Sequence, residues 1–82
     1  ESPGERQLKV YPNPADAFTF VYHYGQATGY RLISITGRET DSGIPGPGSS
    51  FRLPLERVRP GIYFLEVSLN TGDHFVTRLV VQ

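Results

Sequence analysis

Two histidines, a scatter of carboxylates and an arginine-rich basic set are the residues with chemistry to offer in this 82-residue chain. His23 and His74 are the only imidazoles. Two such ligands without a third make a poor metal site, and both fall at positions expected to face solvent. Asp16, Asp41, Asp73, Glu39, Glu56 and Glu66 are spread over turns and outward positions. Nothing sets two of them across a cleft, as glycoside hydrolysis requires. Serine, histidine and aspartate form no nucleophile motif, and neither Gly-x-Ser-x-Gly nor a P-loop occurs. The expectation is a non-enzyme that needs no metal and no cofactor.

Composition narrows the partners. Formal net charge is zero, so long-range attraction to nucleic acid or anionic lipid is not favoured. Every basic residue but Lys9 is arginine, and Arg52, Arg57 and Arg59 lie close enough in sequence to make a local patch. A solvated face is the simpler account of that run. Cysteine is absent, which excludes a disulfide framework and a thiolate zinc site. No apolar run approaches the ~20 residues of a membrane-spanning helix, so direct membrane insertion is not expected. No signal-peptide pattern is present in these residues.

The elements that must position these side chains are strands. Phe18, Phe20, Tyr22 and Tyr24 alternate with Thr19, Val21 and His23, the period of two of a strand with one buried face. The same alternation recurs through Tyr30–Leu32–Ser34, Phe51–Leu53–Leu55, Tyr63–Leu65–Val67–Leu69 and Phe75–Thr77–Leu79–Val81. Turn chemistry separates these runs. Pro12-Asn13-Pro14 interrupts the first strand, because proline cannot donate to a ladder and restricts the residue before it. Gln26 to Gly29 is expected as a loop, Thr36-Gly37 as the turn into Arg38 to Asp41, and Asn70 to Asp73 as the last hairpin. Gly43 to Gly48, rich in glycine and proline, is expected as a mobile surface loop.

About seven short strands with turns every 8–12 residues predict an all-β fold, a single immunoglobulin-like antiparallel β-sandwich. Its expected core sets Phe18, Phe20 and Tyr22 against Leu32, Tyr63, Leu65 and Leu79. A chain this short hides only about 60–65% of the surface of its unfolded form, so each core side chain matters. Pro60, Gly61 and Tyr63 resemble the corner that leads into strand F of such folds, where a tyrosine hydroxyl reaches back to an upstream backbone group. Pro12, Asn13, Pro14 and Ala15 form a second structural motif, a rigid corner between the first and second strands. Glu1 to Gln7 reads as a linker from a preceding cargo domain, with the folded domain at residues 8–82.

Taken in order, Leu8 to Ala15, Ile33 to Arg38, Leu53 to Val67 and Thr77 to Gln82 resemble the C-terminal sorting domain of type IX secretion. The resemblance implies an export address at the end of a larger cargo protein of a Bacteroidetes-type bacterium. Such cargo passes through the periplasm, crosses the outer membrane, and is anchored at the cell surface or released. The implied partners are the outer-membrane translocon and its shuttle proteins, with a surface sortase in members that are cleaved. The sequence departs from the usual pattern in three places. Ser34 stands where aspartate is common, Arg78 stands where lysine is common, and the Gly43 to Gly48 loop is unusually rich in glycine and proline.

The expected recognition residues are Gly37 and Arg38 at one turn, and Arg78, Leu79, Val80, Val81 and Gln82 on the final strand. That strand is expected to offer a free edge or its terminal carboxylate, since an unpaired edge can be read through backbone hydrogen bonds. An edge of this kind also allows homodimerisation. The alternative is an immunoglobulin-like structural or adhesion module of a larger secreted protein, which explains the strands and the tyrosine corner equally well.

Overall fold

The computed structural model describes residues 8–82, so the expected linker Glu1 to Gln7 lies outside the described residues. Seven strands make up the regular structure. They are β1 (Lys9–Tyr11), β2 (Phe18–Tyr22), β3 (Ala27–Ser34), β4 (Glu39–Gly43), β5 (Ser50–Pro54), β6 (Gly61–Leu69) and β7 (His74–Val81). All pair antiparallel, in a three-stranded sheet of order β1-β2-β5 and a four-stranded sheet of order β4-β3-β6-β7. This is the expected seven-stranded sandwich. β4 pairs with β3 and not with β5, so it takes the place of strand C′ of the immunoglobulin plan.

Alternation drives the packing. Tyr63, Leu65, Val67 and Leu69 of β6 are buried, and Leu79 and Val81 of β7 join them. Leu53 of β5 and Leu55 just after it join Leu32 and Leu65 in one continuous core. Removing such a leucine side chain costs about 2–5 kcal/mol, because lost transfer energy and an unfilled cavity add together.

β2 reverses the expectation. Its inward residues are Thr19 and Val21, followed by His23, while Phe20 and Tyr22 are 37% and 45% exposed. The register explains the choice. Val21 pairs with Val10 on one side and Phe51 on the other, and Thr19 pairs with Leu53. Thr19 is tolerated inside because its hydroxyl donates to Pro12 O at 2.7 Å. The displaced aromatics pack on the outer face, where the Phe18 and Phe20 rings meet edge to face and the Arg52 guanidinium sits 4.6 Å from the Phe18 centroid.

Two turns differ in detail from expectation. β3 begins at Ala27, so most of the expected Gln26–Gly29 loop is strand, with a register irregularity between Ala27 and Gly29. Gly43 ends β4, and only the residues after it are irregular. Tyr30 crowds the position: a Cβ at 43 would lie 2.8 Å from the Tyr30 hydroxyl oxygen, so any other residue there would have to displace that ring. The Tyr30 ring itself stacks on Phe51 across the sandwich at 5.1 Å.

Candidate functional site

Pro12 to Ala15 does more than turn a corner. Asn13 Nδ2 donates to Arg78 O at 2.8 Å, and Val80 N donates to Asn13 Oδ1 at 3.0 Å. Ala15 N then donates to Val80 O and Gln82 N to Ala15 O, both at 2.8 Å, forming a parallel bridge. One amide side chain and one backbone unit thus hold the outer edge of β7 from Arg78 to Gln82. Pro12 and Pro14 flank Asn13 and keep its own backbone out of a ladder, leaving the side chain to take that role. Ala15 is fully buried beneath the bridge, where a larger residue would be overpacked.

The clamp also fixes which backbone groups point outward. In an antiparallel strand, alternate residues direct both N–H and C=O to the same side. Val80 faces the clamp and its register with β6 is unbroken through Ser68↔His74, so Val76 also points away from β6. Among the described residues nothing pairs with this stretch of β7, from His74 to the Arg78 N–H. The expected free edge is therefore half its anticipated length.

Side chains alternate on the same strand. Leu79 and Val81 are core residues whose backbone groups, alternating with those of Val80, face β6, so their part is to hold the strand. Arg78 is exposed and lies opposite Phe64 on the outer face, with Val76 opposite Glu66. Val76 is 59% exposed, and Ile62 and Phe64 on the same outer face are also open to solvent. Among the described residues no carboxylate lies within ion-pairing distance of Arg78. Glu66 is already engaged by Arg31 at 2.8 Å, which also reaches Glu39 at 3.6 Å.

Gly37 and Arg38 sit elsewhere. Gly37 takes φ +92° in the β3–β4 turn, a conformation that only glycine adopts without strain. Its N–H donates to Ser34 O at 2.8 Å, and Ser34 N–H donates to Arg38 O at 2.7 Å. Ser34 Oγ accepts from Arg38 N at 3.1 Å, so the serine side chain helps to close the turn. Arg38 lines a cleft with Tyr63, a core-facing side chain, whereas Arg78 lies on the opposite face of the same sheet. The structure does not bring the two arginines together.

The tyrosine corner is present. Tyr63 donates its hydroxyl hydrogen to Arg59 O at 2.7 Å, four residues upstream, at the start of β6. Gly61 opens that strand at φ +157°.

The histidines divide. His74 is exposed, with Nδ1 3.0 Å from Ser68 Oγ and 3.8 Å from Glu66 Oε2. His23 is only 2% exposed, against the expectation for it. It follows the inward side of β2, its Nδ1 lies 3.3 Å from Gly25 O, and its ring packs 5.7 Å from Phe51. Among the described residues no group of three histidines, cysteines or carboxylates could hold a metal ion. Burial first, and Asp41 second, raise the Tyr30 pKa above its ordinary value, so that phenol stays protonated across the physiological range.

The Asn13 clamp escaped sequence reasoning, as did the cleft that Arg38 lines together with Arg57 and Arg59. The isolated asparagine between two prolines was the only local sign of the first.

Residues 9–82 match the family model described as the secretion system C-terminal sorting domain. No curated protein matches the chain. The matched family is not an enzyme family; its domains are sorting signals that engage the type IX secretion machinery and send proteins to the cell surface or the extracellular space. With the match running from the first strand to Gln82, the chain belongs to the type IX C-terminal sorting domains.

Proposed function

We propose that the type IX machinery reads this domain on β7, at the open stretch from His74 to Arg78, and thereby carries the attached cargo from the periplasm across the outer membrane. A partner strand would add to the unpaired backbone, and the exposed Arg78 guanidinium would supply a charged contact beside it. The observation that carries this proposal is the contrast along β7: the edge beyond Arg78 is occupied from within the chain, while the edge before it is not. Leu79, Val80, Val81 and Gln82 contribute by holding the strand, and Gly37 with Arg38 offers a second contact. After export the domain either remains and retains the cargo at the surface or is removed by a surface sortase. The translocon and its shuttle proteins are the partners on this account. Homodimerisation would use the same open edge and so compete with recognition.

The test is a periplasmic fluorescent reporter carrying the 82-residue chain at its C-terminal end. It is expressed in a type IX-competent bacterium and in a translocon-deficient sibling, and both are fractionated. Export in the competent strain alone is expected, and the size of the exported reporter shows whether the domain is removed. A folded domain trapped in both periplasms would favour the structural or adhesion module.

A further inference from the structure

A second surface carries chemistry that the β7 edge does not use. A cleft of about 380 Å3 lies between the β3–β4 turn and the segment joining β5 to β6. Arg38 enters it from one side, and Arg57 and Arg59 from the other. Three of the chain's arginines thus line one cleft in a protein of zero net charge. Glu39 is the carboxylate among the lining residues, and it is turned toward Arg31 at 3.6 Å. Among the described residues no carboxylate lies within ion-pairing distance of Arg38, Arg57 or Arg59.

The arrangement is held in place. Tyr63 forms part of the wall, and its hydroxyl fastens the Arg59 backbone at 2.7 Å. Arg38 N is fastened to Ser34 Oγ across the Gly37 turn. Fixed backbones at Arg38 and Arg59 lower the ordering cost of engaging an anion, and arginine forks match carboxylates with paired hydrogen bonds.

A second cleft of about 380 Å3 adjoins the first and shares Thr40, Arg57 and Val58 with it. This neighbour carries Asp41 and Glu56. The combined groove is therefore basic at one end and acidic at the other. It also runs beside β4, whose outer edge pairs with no strand among the described residues. A lone anion would use only the basic end, whereas an extended chain can use the charges at both ends and the β4 backbone between them.

We propose that the groove between β4 and the β5–β6 segment binds an extended peptide of a partner protein, with its acidic end among Arg38, Arg57 and Arg59 and its neutral or basic end beside Asp41 and Glu56. This rests on the reading that the secretion machinery recognises the domain, and it adds a second contact on a different side from the open edge of β7.

The test titrates the isotope-labelled 82-residue chain with three probes, following backbone amide shifts. They are a short peptide of acidic residues followed by lysines, a peptide of the same composition with charges alternating, and inorganic phosphate. The block peptide is expected to shift Thr40, Arg57 and Val58. Arg57→Ala and Arg59→Ala should each weaken it about tenfold, the scale of a lost charged hydrogen bond, with unchanged melting temperature. Arg59→Ala keeps the backbone carbonyl that Tyr63 uses, so the fold is not at issue. Arg52→Ala, on the other sheet beside Phe18, should leave binding intact. Equal binding of the alternating peptide, full displacement by phosphate, or an equal loss with Arg52→Ala would each overturn the proposal. Export of the reporter without peptide binding would overturn this groove alone, whereas peptide binding without export would leave the groove a peptide site and overturn the secretion reading on which its role rests.

Discussion

Toward Val80 the backbone of β7 is held on both sides, by β6 and by Asn13 with Ala15; toward His74 it is held by β6 only. The two halves share the same alternation, with Phe75 and Thr77 inward in one and Leu79 and Val81 in the other. Their difference comes from a segment about sixty-five positions away, since the Asn13–Arg78 bond spans 65 residues. An exposed edge is ordinarily a hazard for a β protein. Here one half is closed from within, and the half that remains open carries an unpaired arginine. Closure and exposure within one strand separate the part that stabilises the fold from the part available to a partner.

Substitutions can break that contrast at several depths. The deepest is Leu79→Ala in the clamped half, expected to lower unfolding free energy by about 2–5 kcal/mol in a urea titration, because Leu79 is fully buried. Asn13→Ala comes next. It removes both bonds of the amide and leaves Val80 N–H without its partner, at an expected cost of about 1–3 kcal/mol. Native-state hydrogen exchange should then quicken at Val80 and stay unchanged at Val76, making the two halves alike. Tyr63→Phe loosens the strand on the far side of the pair, since Tyr63 lies opposite Leu79, and should lower stability by about 1 kcal/mol in a thermal melt. Arg78→Ala is the mildest, within about 0.5 kcal/mol, because the side chain is exposed and unpaired. Its larger consequence should appear in export of the fused reporter.

How far the sequence discloses this arrangement depends on the range of the interactions. β5, β6 and β7 are legible because their inner faces are mainly apolar and their outer faces mixed, so the alternation has one sensible direction. β2 is not, because both of its faces carry apolar residues. Bulk points to Phe18, Phe20 and Tyr22 as the core, yet pairing with Val10, Leu53 and Phe51 selects Thr19 and Val21, and a choice between alternate residues inverts every side chain. His23 inherits that inversion. The tyrosine corner is legible, since its donor and acceptor are four residues apart. The Asn13 clamp joins residues distant in sequence, and nothing local at Arg78 or Val80 announces it. The arginine cleft is half legible: Arg57 and Arg59 are near neighbours, but only the sandwich brings the β3–β4 turn and Arg38 against them.

The most direct test of the central claim is export of the reporter fused to the Val76→Pro chain. The Val76 N–H points away from β6, so proline removes no ladder bond and blunts only the open edge. The account predicts a domain that stays folded, with melting temperature near that of the parent, and a reporter held in the periplasm. A folded Val76→Pro domain that still exports its reporter at the parent level would contradict it.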